Sequence, residues 1–184
     1  MIFEEKKISS ERIYEGKILN LRRDQVTVKA GGTASREIVE HRGAVAMVAL
    51  TDDRKIVMVK QYRYAMQDTI LEIPAGKIDM GETDPVKAAA RELREETGYR
   101  AENIQYIGKM YVSVAYSEEG IWLYFCSGLK KGEMDLDEDE AIDVVEYDFD
   151  EMCKKIENGE LRDSKTMCAV LMVKGLLADG RITL

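Results

Sequence analysis

The rhythm of apolar and polar positions changes along the chain. Over residues 1–41, "ERIYEGKILNLRRDQVTVKAGGTASREIVEH" alternates apolar and polar around Gly16 and the Gly31-Gly32 pair, which predicts strands joined by turns. Large apolar residues are sparse there. This segment is expected to pack on the rest of the chain or on a second copy of it, since it can hardly form its own core. "GAVAMVAL" (Gly43–Leu50) is a nearly continuous apolar run and predicts a buried strand, with "KIVMVKQYRY" (Lys55–Tyr64) as its partner after the turn "TDDRK". "TILEIPAGKIDMGETD" (Thr69–Asp84) reads as a short strand running into a glycine-rich loop. A helix follows from Pro85, capped by Asp84 or Thr83 and ended by Gly98. "AENIQYIGKMYVSVAY" and "GIWLYFCSGL" predict two more strands, "KGEMDLDEDE" (Lys131–Glu140) a charged loop, and "AIDVVEY" a further strand. Helices are expected near 149–158 and 164–178, the second capped by Asp163 or Ser164. No repeat, low-complexity stretch or linker interrupts this order. The fold class is α/β (α+β): a mixed sheet covered by helices over 42–184, with an N-terminal antiparallel β extension over 1–41.

"AARELREETGY" (Ala89–Tyr99) is the most unusual stretch. At about 100° per residue, Val86, Ala89, Ala90, Leu93 and Thr97 form the apolar stripe. Glu92, Glu95 and Glu96 share an arc beside it, Arg91 flanks that arc, and Arg94 points elsewhere. Glu92 and Glu96 are like charges at i, i+4, a repulsion of roughly 0.2–0.5 kcal/mol unless compensated. They also lie in the C-terminal half of the helix, where the dipole disfavours anions. A solvated face with Glu–Arg pairs is the plain alternative. A hard divalent cation, whose preferred ligands are carboxylate oxygens, resolves every one of these conflicts. The preceding loop, "PAGKIDMGE", can bring a backbone carbonyl such as that of Ala75 to the acidic face, helped by Gly76 and Gly81.

Charge and composition narrow the chemistry. The net charge of −8 argues against a nucleic-acid partner, which would call for a basic face. An acidic protein acting on anionic substrates must manage repulsion locally, again with a cation. The three cysteines, Cys126, Cys153 and Cys168, are distant and odd in number, which suits reduced thiols in a cytoplasmic protein. His41 is the only histidine, so a histidine-rich zinc site is excluded, and no GxSxG elbow accompanies it for acyl transfer. No apolar run approaches a membrane span, and the charged N-terminus lacks the apolar region of a secretory signal.

"GKIDMGETDPVKAAARELREETGY" resembles the signature box of the Nudix hydrolases: Gly, five residues, Glu, seven residues, then Arg-Glu-apolar-x-Glu-Glu-x-Gly-apolar. The matches are Gly76, Glu82, Arg91, Glu92, Leu93, Glu95, Glu96, Gly98 and Tyr99. Eight residues, 83–90, separate Glu82 from Arg91 where the family has seven. "VKQYRY", "LEIPAGKID", "DEDEAIDV" and "GELRDSKTMCAVLM" resemble stretches of the ADP-ribose pyrophosphatase branch. The resemblance implies a Nudix-type mixed sheet sandwiched between helices. It also implies hydrolysis of a nucleoside diphosphate linked to another moiety, foremost ADP-ribose to AMP and ribose 5-phosphate. Magnesium, with manganese as an alternative, would be held by Glu92, Glu96, Ala75 and Glu140. Glu138 or Glu95 would be the base, and Arg63 would contact substrate phosphate or ribose. Ser113, Ser117 and Glu118 are expected at the substrate site, although "YVSVAYSEEG" lacks the proline that marks ADP-ribose preference in the branch. Sugar nucleotides, dinucleoside polyphosphates and nucleoside triphosphates remain alternative substrates, and a nucleotide-sensing module without turnover is the rival of another class. The branch also implies a homodimer formed through the N-terminal strands.

Overall fold

The computed structural model describes residues 2–136 and 141–184, which fall into two units. The first comprises the chain up to Gly43 together with Tyr111–Gly120. Its alternating pattern forms an antiparallel meander of β1 (Lys7–Glu15), β2 (Asn20–Thr27) and β3 (Thr33–Glu40). The β2–β3 register runs from Asn20 opposite Glu40 to Thr27 opposite Thr33. Every residue of β1 is exposed. The 111–120 loop docks on β3: Val39 donates its N–H to Tyr116 O at 2.8 Å and accepts from the Glu118 N–H at 3.0 Å. Arg22 ties the same parts together, reaching Glu40 at 2.7 Å, Glu118 at 2.6 Å and Asp24 at 3.2 Å.

The second unit is built on β4 (Ala44–Ala49), β5 (Lys55–Arg63), β6 (Asp68–Glu72), β7 (Ala75–Lys77), β8 (Tyr99–Tyr111), β9 (Gly120–Lys131) and β10 (Ile142–Asp148). Its helices are α1 (Pro85–Thr97), α2 (Phe149–Glu157) and α3 (Ser164–Ala178). One sheet has the order β7-β4-β9-β8 and is mixed, with β4 parallel to β9 and antiparallel to β7. A second, β10-β5-β6, is antiparallel. β4 is buried at every position. Ala44, Ala46 and Val48 join the core that includes Phe149, Met152 and Ile156 of α2 and Ala169, Val170 and Val173 of α3. Val45, Met47 and Ala49 join the core that includes Ala88, Ala89 and Leu93 of α1. A strand covered on both faces needs apolar residues at both parities, hence the unbroken run. The expected mixed sheet between helical layers is therefore present. No helix among the described residues is long and apolar enough to cross a membrane.

α1 starts where its cap chemistry dictates. Asp84 accepts the Val86 N–H at 3.1 Å, Pro85 occupies the first turn, and Gly98 ends the helix at φ 74°. The buried face differs from the expected stripe. Val86 and Ala90 are exposed, whereas Ala88, Ala89, Leu93, Glu96 and Thr97 are buried. The helix is rolled toward its own glutamates: Glu96 accepts the Ala75 N–H of β7, and Glu92 sits over Gly76.

Candidate active site

The site is assembled where α1 lies against β7. Glu96 is buried, and its Oε2 accepts the Ala75 N–H at 2.9 Å. One turn earlier, the Glu92 carboxylate lies over the α-carbon of Gly76, where a Cβ on that residue would overlap it. Glycine at 76 is thus a cradle for Glu92, a requirement stronger than the turn role its sequence context suggests. Glu95 faces Arg91 and Arg94, at 2.9 Å from each.

Arg91 is the hub of the acidic face. Its Nη1 donates to Glu92 at 2.8 Å and Glu95 at 2.9 Å, and its Nη2 to Glu82 at 3.0 Å and the Lys77 carbonyl at 3.1 Å. The hydrogen bonds from Arg91 hold the Glu82 carboxyl below its ordinary range. The extra residue between Glu82 and Arg91 is absorbed in the loop and cap, and Glu82 still reaches the cluster. Arg94 does not point away, as the helical projection implied: it bridges Glu95 and Asp135, the latter at 3.0 Å. The like-charge conflict read from the sequence is therefore relieved in part by two arginines shared among several carboxylates.

The loop after β9 is tied to the C-terminal end of α1. Gly132 donates its N–H to Gly98 O at 2.8 Å, and Asp135 donates to Glu95 O at 3.1 Å. These bonds satisfy carbonyls that a helix end leaves open. Glu138 and Glu140, expected as base and metal ligand, lie outside the described residues.

Arg63 is held in a bidentate fork by Glu72, at 2.7 and 2.8 Å. Lys165 also pairs with Glu72 and lies 3.1 Å from Asp163. Burial pushes the Glu72 carboxyl up, but hydrogen bonding from Arg63 and the charge of Lys165 more than reverse this, so it ends below its ordinary value. Sequence reasoning named Arg63 but missed Glu72, Lys165 and Thr166. The available signal was a lone charge in the apolar strand "TILEIP". In the first unit, the Ser113 carbonyl accepts the Tyr116 and Ser117 N–H groups at 3.3 and 2.9 Å, and Glu118 pairs with Arg22.

The oxygen-rich donor set suits a hard divalent cation. Among the described residues no three Asp, Glu, His or Cys side chains form a ready metal cluster. Magnesium does not require one, since it keeps several waters and takes one or two carboxylates with substrate phosphates. Glu92 in its glycine cradle and Glu96 against the same strand are the two carboxylates that could form such a pair.

Known proteins match the chain along most of its length. The NUDIX domain matches residues 40–170, and the nucleoside diphosphate sugar hydrolase N-terminal domain matches residues 5–39. The chain is 46% identical to the methanol dehydrogenase activator of Bacillus methanolicus over 92% of each chain. It is 41% identical to the ADP-ribose pyrophosphatase of Bacillus subtilis over 91% of each chain. The crystal structure of an ADP compounds hydrolase superposes with a TM-score of 0.85 over 99% of both chains at 21% identity, a likeness of fold. With a domain match spanning most of its length and relatives above 40% identity, the chain belongs to the NUDIX family.

Proposed function

We propose that the chain hydrolyses the diphosphate linkage of a nucleoside diphosphate joined to a second moiety, with ADP-ribose as substrate and AMP and ribose 5-phosphate as products. The observation that carries this reading is the packing of Glu92 and Glu96 against Gly76 and the Ala75 N–H. The 41% identity to an ADP-ribose pyrophosphatase supports the choice of substrate. The relative from Bacillus methanolicus is named for activating a dehydrogenase. The retained carboxylates favour hydrolysis as this chain's own activity.

Glu92, Glu96 and the Ala75 carbonyl would hold magnesium, or manganese in its place, with Glu140 as a further ligand. When bound, the ion neutralises diphosphate oxygens and lowers the pKa of a water. Arg91 fixes the Glu92 and Glu95 carboxylates in place. Glu138 or Glu95 takes the proton of the attacking water as the water adds in line to one phosphorus. The bond to the bridging oxygen breaks, and that oxygen leaves with the other phosphate. Arg63, oriented by Glu72, meets substrate phosphate or ribose, and Ser113 and Glu118 add substrate contacts. Residues 1–41 act as a dimerisation element of a cytoplasmic homodimer, a role supported by the fully exposed β1 and its Ile8, Ile13 and Tyr14.

The test is incubation with ADP-ribose and magnesium, chromatography for AMP, and an EDTA control. Magnesium-dependent AMP is the expected result. Its absence overturns the substrate, and a panel of sugar nucleotides, dinucleoside polyphosphates and triphosphates then separates another hydrolase from a module that binds without turnover.

A further inference from the structure

Residues 73 and 74 join β6 to β7, and the backbone donors around them have separate destinations. The Ile73 N–H donates to Thr166 Oγ1 at 2.9 Å, Pro74 has no N–H, and the Ala75 N–H donates to Glu96 at 2.9 Å. Ile73 and Thr166 are both fully buried. The Thr166 hydroxyl in turn donates to Asp163 Oδ2 at 2.6 Å, the carboxylate that caps α3. Beside it, Lys165 pairs with the Glu72 side chain. The first turn of α3 therefore grips the end of β6 by one side chain and one backbone group.

The link from there to Glu96 is short and stiff. The peptide groups are planar, Pro74 has a fixed φ, and Ile73, preceding a proline, is confined to extended backbone. A shift at Ile73 is thus carried to Ala75 instead of being absorbed between them. The Pro74 carbonyl, accepting from the Met47 N–H at 2.9 Å, pins the same segment to β4.

We infer that Thr166 is a positioning residue for the metal site, setting the placement of the 73–75 backbone at which the Ala75 N–H meets Glu96. The inference rests on the reading of Glu96 as a metal ligand. It extends the site to a helix that contributes no ligand.

The experiment titrates the full-length protein with Mn²⁺ in the absence of substrate and reads free and bound manganese by electron paramagnetic resonance, alongside thermal melts. Thr166→Val keeps the shape and removes the hydroxyl. Affinity for Mn²⁺ is expected to fall about 10–100-fold, as for other groups that orient a metal ligand. Thr166→Ser restores it. In a Glu96→Gln background, Thr166→Val causes no further loss. Pro74→Ala, which preserves both hydrogen bonds but removes the stiff link, also weakens Mn²⁺ binding and serves as the second arm if Thr166→Val does not fold. Unchanged Mn²⁺ affinity in Thr166→Val, or the same loss with and without Glu96, overturns the inference; so does unchanged affinity in Pro74→Ala. Absence of Mn²⁺ binding by the wild type, or binding indifferent to Glu96→Gln, overturns the metal reading itself and the inference with it.

Discussion

Two charged clusters in the second unit are built on opposite plans. On α1, Arg91 is shared among Glu82, Glu92 and Glu95, with Arg94 assisting at Glu95, so carboxylates outnumber cations. At the end of β6 the proportion reverses: one buried carboxylate, Glu72, is gripped by Arg63 and Lys165, and Asp163 completes the balance. The second cluster is balanced among its own charges, and its Arg63 also feels the charge of Glu96. The first retains a surplus of negative charge around a glycine-backed notch. Balanced ion pairs and a carboxylate-rich cluster can look alike in a sequence. The local balance of charge distinguishes them.

The strongest way to break this contrast is Glu96→Gln, which keeps the shape and removes one charge of the surplus. Turnover at saturating magnesium is expected to fall by more than about 100-fold, because on the proposed role of Glu96 the change removes a ligand, which should exceed loss of a group that merely orients one. The melting temperature should stay near that of the wild type. Steady-state kinetics with a thermal melt check this, and wild-type turnover would abolish the distinction between the clusters.

Gly76→Ala tests the notch and leaves the charges intact. The added methyl overlaps the Glu92 carboxylate and forces it aside. An activity loss of about 10–100-fold, with a smaller change in melting temperature, is expected. Rates indistinguishable from wild type would show that the position of Glu92 over Gly76 is immaterial.

Glu72→Gln probes the balanced cluster and has the smallest expected effect on rate. Because the folded-state carboxyl lies below its ordinary value of 4.5, the charged form contributes stability above that pH. The contribution declines as the pH falls through the lowered value. The melting-temperature gap between wild type and Glu72→Gln should therefore be widest and flat near neutrality and close below about pH 4.5. A gap that persists unchanged in acid would show that packing, not charge, holds Glu72.

Much of this architecture was legible because it is local. The apolar run of β4, the Asp84-Pro85 start and Gly98 end of α1, and the spans of α2 and α3 all follow from patterns within one element. What escaped depends on contacts between distant segments. Helical periodicity located a stripe on α1, but the helix is turned so that Glu96 meets the Ala75 N–H, and Val86 and Ala90 face outward. Arg94 gained Asp135 from a loop that no helical projection includes. Lys165 and Thr166 lie 93 positions from their partners Glu72 and Ile73, a separation across which spacing carries no signal. Glu92, Glu95 and Glu96 could be found because a single helix turn already brings them together.

β4 divides two cores between alternate residues of one strand. Neutral drift among the residues that meet α2 and α3 is separated from the glutamate helix by a full layer of backbone. A lineage can exchange side chains such as Phe149, Met152 or Val173 against Ala44, Ala46 and Val48 while α1 and its partners Val45, Met47 and Ala49 stay fixed. The strand insulates the two apolar packings from each other, so the connection of α3 to the glutamate helix runs through Thr166 and the 73–75 backbone.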